Sequence, residues 1–219
     1  MLKMNSYIDH TLLKPTATAE DIKQLCEEAM EYKFYAVCIH GCFVKLAKSF
    51  LKNSEVKVCT VIGFPLGAMA TEAKEFEAQQ AILDDADEVD MVINIGWAKS
   101  GNFNEIKEEI GIIKRSIGDK ILKVILETCY LTSEEIKLAT QAAINAKADF
   151  VKTSTGFGTG GATLEAVEEM KKVAQNKIQI KASGGIRDFL TTKSYIDIGV
   201  TRIGTSSGIA ILEGERSVL

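Results

Sequence analysis

Residues 88–94 have the sequence Glu88-Val89-Asp90-Met91-Val92-Ile93-Asn94, a short aliphatic run interrupted by one aspartate. Similar runs, rich in Val and Ile, alternate along the chain with longer segments of helical periodicity. Strands that are buried on both faces, and the helices that cover them, have this pattern. The unit recurs about eight times, and it predicts strands at residues 7–9, 36–39, 57–62, 88–94, 122–127, 150–152, 178–181 and 201–204.

Three of the intervening segments carry clear helix signals. An apolar stripe runs through residues 22–30, and a Thr/Asp capping box at Thr18 and Asp21 precedes it. A second capping box begins at Thr132, and residues 103–113 form another amphipathic pattern. Eight parallel strands with right-handed crossovers form either a closed barrel or an open doubly wound sheet, and the number of units favours closure. We therefore predict an α/β fold, a single (β/α)8 TIM barrel that occupies residues 1–219 as one domain.

Composition excludes several classes of function. The 26 basic and 30 acidic residues are spread without a basic stripe, so we expect no nucleic-acid partner. The start of the chain lacks a continuous apolar segment, and no run of about 18 apolar residues occurs, so we expect no membrane partner and a cytoplasmic location. Five irregularly spaced cysteines and two histidines outside the usual ligand spacings favour reduced thiols and no metal site.

Alternation along the strands places charged residues inside the barrel. Residues two apart in a strand share a face, and the aliphatic positions 89, 91 and 93 suit the helix layer. Asp90 and Asn94 should therefore point inward. Buried charges cost several kcal/mol each unless they are paired, so the group predicts an ion network or chemistry. The same alternation turns further charged side chains inward: Lys123, Glu127, Lys152 and Lys181.

Lys152 and Lys181 are the most informative of these residues. They end neighbouring strands without an obvious carboxylate of their own. A lysine nucleophile must be neutral, whereas its ordinary pKa of about 10.4 keeps it protonated, and both desolvation and a nearby cation lower that pKa. The pattern predicts a Schiff-base lysine in this pair, with a phosphate-binding pair as the alternative. Lys123, beside Asp90 on the adjacent strand, suits either a structural salt bridge or a chemical role.

Loops of small residues follow the last three strands, at residues 153–161, 183–185 and 204–208. Such loops expose backbone N–H groups, and phosphate sites after strands 7 and 8 recur in this barrel. We therefore predict a phosphate site at these loops. Near the first strands, Asp9 and Thr11 are candidates for contacts with substrate hydroxyl groups, and Cys38 is expected to pack at the pocket wall.

Six segments carry a family resemblance. The segments Lys152-Thr153-Ser154-Thr155-Gly156-Phe157 and Lys181-Ala182-Ser183-Gly184-Gly185-Ile186-Arg187, with residues 8–15, 61–67, 88–94 and 204–208, resemble those of deoxyribose-phosphate aldolases. The resemblance extends essentially from end to end. It implies reversible cleavage of 2-deoxy-D-ribose 5-phosphate to D-glyceraldehyde 3-phosphate and acetaldehyde, in deoxyribose phosphate catabolism. One departure is the tail, residues 215–219, which lacks the terminal tyrosine of some members.

The resemblance also implies roles for individual residues. Lys152 would be the Schiff-base nucleophile. Lys181 would be the second lysine, which lowers the pKa of the Lys152 amine and helps to move protons. Asp90 would be the acid/base residue that works with them through a water. No metal or organic cofactor is implied, and because family members commonly form dimers or tetramers, we expect a homo-oligomer. The residues that would hold the phosphate are Thr155, Gly156, Gly184, Gly185, Gly204, Ser206 and Ser207.

Two other classes of function fit parts of the pattern. A barrel isomerase of sugar phosphates would use Asp90 as base and Lys181 as electrophile, without a covalent step. A non-catalytic protein that binds phosphorylated ligands would use the same loops, but it would leave Asp90 and the lysine pair without a purpose.

Overall fold

The computed structural model describes residues 3–218; Met1 and Leu2 of the amino-terminal stretch and Leu219 of the tail lie outside the described residues. The fold is a closed barrel of eight parallel strands that pair in chain order, and the last strand pairs with the first. The predicted (β/α)8 TIM barrel is therefore confirmed. The strands are β1 (Ile8–Thr11), β2 (Ala36–His40), β3 (Lys57–Ile62), β4 (Glu88–Val92), β5 (Ile121–Ile125), β6 (Phe150–Lys152), β7 (Gln179–Ser183) and β8 (Arg202–Thr205).

Helices alternate with the strands and cover the outside of the barrel. Within residues 3–218, no helix has the length and apolar character needed to cross a membrane. The helices are α1 (Ala19–Tyr32), α2 (Val44–Phe50), α3 (Thr71–Leu83), α4 (Ile95–Lys99), α5 (Phe103–Ser116), α6 (Ser133–Asn145), α7 (Leu164–Ala174), α8 (Phe189–Asp197) and α9 (Gly208–Val218).

Both predicted capping boxes are present. The Thr18 hydroxyl accepts the N–H of Asp21, and the Asp21 carboxylate accepts the N–H of Thr18, at the start of α1. Thr132 and Glu135 form the same reciprocal pair at the start of α6. Each box satisfies backbone donors that the first turn of a helix leaves free, which contributes about 0.5–2 kcal/mol.

Two strands end earlier than predicted, for local reasons. Asn94 follows β4 and caps α4, where its Oδ1 accepts the N–H of Trp97 at 3.1 Å, so its side chain does not point into the barrel as expected. Glu127 follows β5 with φ 55° and ψ 61°, in the left-handed region, and an extended strand does not continue through that conformation.

The alternation of the strands separates two apolar regions. The outward side chains Val89, Met91 and Ile93 are fully buried in the large core between barrel and helices, as predicted. A small second cluster lies inside the barrel and contains Leu13, Cys38, Cys59 and Val61. The rest of the barrel interior is thus left for the charged side chains of the site.

A buried ion pair connects two helices of the outer layer. Lys74 of α3 and Glu109 of α5 have fully buried side chains, and Nζ lies 2.9 Å from Oε2. Lys74 Nζ also donates to the carbonyl oxygen of Val92 at 2.9 Å, and Thr71 Oγ1 donates to Glu109 at 3.2 Å. The pair therefore anchors the start of α3 to the end of β4.

We expect Glu109→Ala to lower the free energy of unfolding by about 3–5 kcal/mol, because the Lys74 ammonium would remain buried without its carboxylate. The double variant Lys74→Met/Glu109→Leu should recover most of that loss. Urea denaturation followed by circular dichroism measures both quantities. A loss below about 1 kcal/mol in the single variant would contradict the prediction, since that is the range of a surface ion pair.

Candidate active site

Charged side chains from six strands meet inside the barrel. The register places Lys152 directly beside Lys181, and Asp90 beside Lys123, and the inward directions predicted for these four residues are confirmed. Because β-strand neighbours lie about 4.8 Å apart, their side chains are within reach of one another. Each member of the group is at most 5% exposed: Asp9, Glu88, Asp90, Lys123, Lys152, Lys181 and Arg202.

Asp90 is the centre of this network. Its Oδ2 accepts hydrogen bonds from Lys152 Nζ and Lys181 Nζ, both at 2.8 Å. Its Oδ1 accepts from Lys123 Nζ at 2.8 Å and from Cys59 Sγ at 3.0 Å. The expectation that the lysine pair has no carboxylate of its own is therefore wrong, because the Asp90 side chain on β4 reaches across the interior to β6 and β7.

Two more carboxylates complete the network. Asp9 accepts from Lys181 through Oδ2 and from Arg202 Nη1 through Oδ1, the latter at 2.9 Å. Glu88 Oε2 lies 2.6 Å from Lys123 Nζ and 3.1 Å from Arg202 Nη1. Lys123 is thus held in the structural salt bridge that the sequence left open as one of its two roles.

The network favours the charged forms of Asp9, Asp90, Lys123 and Lys181. Burial opposes the charge of Asp9 and Asp90, but the adjacent basic groups outweigh burial, so the pKa of Asp9 falls to about 2 and the pKa of Asp90 falls well below its usual range. Burial also opposes the charge of Lys181 and Lys123. Their carboxylate neighbours, foremost Asp9 for Lys181 and Asp90 for Lys123, outweigh it and raise the pKa of each amine above its ordinary value.

The hydrogen-bonded network inside the barrel contains four basic side chains and three carboxylates, and a fourth buried carboxylate, Glu127, accepts hydrogen bonds from Thr155 and feels the charge of Lys152. Lys152 is the least compensated cation, since its Nζ pairs only with Asp90, which Lys181 and Lys123 also contact. Lys181, Lys123 and Arg202 each pair with two or more carboxylates. Lys152 is therefore held by fewer ion pairs than the other three basic side chains.

Two groups of side chains bring possible metal ligands together, Cys38-Cys59-Asp90 and Asp9-Cys59-Glu88. Their carboxylates already accept from basic side chains, and Cys59 Sγ lies 3.2 Å from the ammonium of Lys123. A divalent cation would have to displace these ammonium and guanidinium groups. The cluster therefore fits an ion network better than a metal centre.

A pocket of about 250 Å³ opens at the carboxyl ends of the strands. Its walls come from the loops that follow β1, β6, β7 and β8, and Lys152 is part of its lining. Lys181 and Lys123 are fully buried instead. Within the described network, Lys152 is thus the basic side chain that a ligand in the pocket can touch.

Most of the predicted ligand contacts meet around this pocket. The sequence did not single out its two further cations, Lys14 and Arg187, or the aromatic Phe157, although all three belong to the motifs that carry the family resemblance. The predicted residues that line the pocket with Lys152 are Thr11, Thr155, Gly156, Gly184, Gly185, Gly204 and Ser206.

Three predicted contacts lie outside the pocket. Both oxygens of Asp9 are held by basic side chains of the network. Cys38 is fully buried with Cys59 in the apolar cluster inside the barrel, so it is not at the pocket wall. The backbone N–H of Ser207 donates to Thr205 Oγ1 at 2.9 Å instead of pointing to a ligand.

Backbone N–H groups from three loops remain available in the pocket. Those of Gly156, Gly185 and Ser206 have no acceptor among residues 3–218. Gly156 and Gly185 have φ values of 87° and 81°, which side-chain-bearing residues rarely adopt. With the nearby cations Lys14 and Arg187, these donors suit an anion such as a phosphate group.

A (β/α)8 barrel with a reachable lysine and an anion-binding rim at the carboxyl ends of its strands has the arrangement of a barrel enzyme. Residues 3–214 match the model of a family described as DeoC/LacD family aldolase. The chain therefore belongs to this family of aldolases.

Curated relatives and solved structures agree with this family. Deoxyribose-phosphate aldolases of Thermococcus gammatolerans and Coprothermobacter proteolyticus are 56% and 53% identical to the chain, with 96% and 97% of each pair of chains covered. The structure described as QR15, an aldolase, is 46% identical with a TM-score of 0.94, and 99% of this chain and 97% of that one are covered. The tetrameric deoxyribose phosphate aldolase from Aeropyrum pernix is 33% identical with a TM-score of 0.89, and the match covers 99% of this chain and 92% of that one.

Proposed function

We propose that this chain is a deoxyribose-phosphate aldolase, which reversibly cleaves 2-deoxy-D-ribose 5-phosphate to D-glyceraldehyde 3-phosphate and acetaldehyde in the breakdown of deoxyribose phosphate. Lys152 is the nucleophile. The observation that carries the proposal is its position, because it belongs to the buried ion network and yet lines the pocket.

The chemistry begins with the neutral amine of Lys152, which attacks the C1 aldehyde of the open-chain sugar. Loss of water gives an iminium ion on Lys152. A base removes the proton of the C3 hydroxyl, the C2–C3 bond breaks, and its electron pair flows into the iminium to form an enamine, releasing D-glyceraldehyde 3-phosphate. Protonation of the enamine at C2 and hydrolysis of the imine release acetaldehyde and restore the amine. The reaction requires neither a metal nor an organic cofactor.

Asp90 and Lys181 are the groups best placed to move these protons. Asp90 Oδ2 lies 2.8 Å from both Lys152 Nζ and Lys181 Nζ. A carboxylate with a lowered pKa is a weak base by itself, and the neighbouring Lys181 ammonium supplies a proton donor beside it. We therefore assign the pair to proton transfer at the Lys152 adduct, through a water that bridges to the substrate.

The phosphate group is assigned to the rim of the pocket. The N–H groups of Gly156, Gly185 and Ser206 would donate to its oxygens, with Lys14 and Arg187 balancing its charge. A phosphate held there fixes the far end of the sugar, so that the reacting carbon is positioned over Lys152. Asp9, by contrast, is assigned to hold Lys181 and Arg202 in place.

The test is the reaction of the purified protein with 2-deoxy-D-ribose 5-phosphate. We expect release of acetaldehyde, and we expect borohydride with acetaldehyde to leave an ethyl group on Lys152 in peptide mass spectrometry. Conversion of D-ribose 5-phosphate, which has a C2 hydroxyl, to its ketose phosphate, without release of acetaldehyde from 2-deoxy-D-ribose 5-phosphate, would identify the isomerase alternative. Binding of the sugar phosphate without turnover would identify the non-catalytic alternative.

We also infer that the protein is a cytoplasmic homo-oligomer. Reduced thiols support the location, since the structure forms no disulfide among the five cysteines, all of which lie in its described part. The tetrameric Aeropyrum pernix relative and an apolar surface on α3 support self-association. Phe76 and Leu83 are one heptad apart on that helix and are 70% and 77% exposed.

The variant Phe76→Gln/Leu83→Gln is expected to dissociate the oligomer, because it removes the apolar contact area of α3. Light scattering after size-exclusion chromatography should give a mass of at least two chains for the wild type and a lower mass for the variant. Leu190→Gln, at a position of α8 that is 67% exposed, is the matched control and should keep the wild-type mass. A monomeric wild-type protein would contradict the inference.

A further inference from the structure

Glu127 is a buried carboxylate beside the pocket that the proposed reaction does not use. It lies between β5 and the Thr128–Tyr130 helical turn, and it is only 2% exposed. Its backbone φ of 55° lies in the left-handed region, which is uncommon for a residue with a side chain. Burial raises the pKa of Glu127, whereas its bonds to Thr155 and the charge of Lys152 act in the opposite direction.

The carboxylate of Glu127 binds the turn that follows β6. Its Oε1 accepts the backbone N–H of Thr155 at 3.1 Å, and its Oε2 accepts the Thr155 hydroxyl. Thr155 Oγ1 in turn accepts the backbone N–H of Phe157 at 3.0 Å. Both donors of Thr155 and the N–H of Phe157 are therefore already engaged within the protein.

Gly156 lies between these two residues, and its backbone N–H is the one in this turn that is free to bind a ligand. Its N–H has no acceptor in the described chain, it lines the pocket, and nothing lies within 4 Å of a Cβ built on it. Glu127 thus fixes the residues on both sides of Gly156. The position of the Gly156 N–H at the pocket therefore depends on that constraint.

The chain also closes over Glu127 from the other side. A Cβ on Gly158 would lie 2.9 Å from Cys129 Sγ and 3.1 Å from Glu127 Cδ, so this segment packs directly on the carboxylate because Gly158 has no side chain. Such close packing excludes water from the carboxylate. Hydrogen bonds to a carboxylate are stronger where water is excluded, because the local dielectric constant is low.

We propose that Glu127 is a positioning residue that aims the Gly156 N–H at the substrate phosphate and thereby sets the preference for phosphorylated over non-phosphorylated sugars. This inference rests on the proposed aldolase function. It also assigns a different role to Thr155, whose donors are engaged with Glu127, so that Thr155 contributes to phosphate binding through the turn and not by a direct bond.

The test compares 2-deoxy-D-ribose 5-phosphate with 2-deoxy-D-ribose in Glu127→Ala and Glu127→Gln. For Glu127→Ala we expect KM for the phosphorylated sugar to rise about tenfold, which corresponds to about 1.4 kcal/mol, with kcat and the kcat/KM for 2-deoxy-D-ribose changed less than about threefold. Glu127→Gln keeps one acceptor oxygen for Thr155, so its KM should lie between those of Glu127→Ala and the wild type.

Glu135→Ala is the matched control, because Glu135 accepts the N–H of Thr132 in the same way at the start of α6 and does not line the pocket. It should leave the KM for both sugars unchanged. If Glu127→Ala does not fold, Thr155→Val removes the same hydroxyl bond and should raise KM for the phosphorylated sugar in the same selective way.

Equal losses with both sugars, or an unchanged KM in the folded variants, would overturn the proposal for Glu127. A wild-type protein without turnover of 2-deoxy-D-ribose 5-phosphate would instead overturn the proposed function. The two failures are therefore distinguishable.

Discussion

Lys152→Ala is expected to lower kcat for 2-deoxy-D-ribose 5-phosphate by at least roughly 10⁴-fold, since the proposed covalent adduct forms on the Lys152 amine. The variant should also lose the ethyl adduct after treatment with acetaldehyde and borohydride. Lys152→Arg keeps the positive charge beside Asp90 but cannot form the imine, so it should be equally inactive. A stopped assay for acetaldehyde measures the residual rate.

The number of ion pairs that each lysine forms predicts a second effect, on stability. Because Lys152 is the least compensated cation, Lys152→Met should change the free energy of unfolding by less than about 1 kcal/mol. Lys181→Met is the matched comparison and should cost about 3–5 kcal/mol, because Lys181 pairs with both Asp9 and Asp90. If turnover and the adduct survive in Lys152→Ala, or if the adduct forms on Lys181, the assignment of the nucleophile is wrong.

The period of two along the strands was sufficient to predict the inward charges. It placed Asp90, Lys123, Lys152 and Lys181 inside the barrel, and all four are buried there. The same alternation could have found Glu88 and Arg202, because each lies two positions from an inward residue, Asp90 and Gly204 respectively.

The pairing of charges could not be predicted from the strands. Lys181 and Asp9 are separated by 172 positions in the sequence and meet because the barrel closes between β8 and β1. Asp90 reaches Lys152 across the interior and not along a strand pair. Alternation gives the face on which a side chain lies, whereas the choice of partner depends on side-chain length and on the curvature of the closed sheet.

The loops were predictable in composition but not in detail. Glycine after β6, β7 and β8 indicated anion binding, and those loops do surround the pocket. Which atoms remain free for a ligand depends on internal hydrogen bonds, such as those that engage Thr155 with Glu127. The left-handed conformation of Glu127 has no signal in its residue type, so its role was visible only in the structure.

Asp90→Asn is expected to lower kcat by about 10²–10⁴-fold, the usual contribution of a general acid/base group. The amide cannot accept a proton. In the wild type, ammonium groups donate to both carboxylate oxygens of Asp90, and in the variant one of these oxygens is replaced by an N–H₂ group, which cannot accept from them. The proposed phosphate site lies in other loops, so KM for 2-deoxy-D-ribose 5-phosphate and inhibition by inorganic phosphate should change less than about threefold. Steady-state kinetics with both ligands separates the two effects.

Glu88→Gln is the control for the loss of a network carboxylate, because Glu88 contacts Lys123 and Arg202 but forms no ion pair with Lys152. Both variants should lose stability in urea denaturation, by about 3–5 kcal/mol each, since each leaves buried cations undercompensated. Only Asp90→Asn should lose most of its turnover. If Asp90→Asn lost catalysis and phosphate affinity to the same extent, or if Glu88→Gln lost as much turnover, then Asp90 would serve the architecture of the barrel alone, and the proton transfers would belong to other groups.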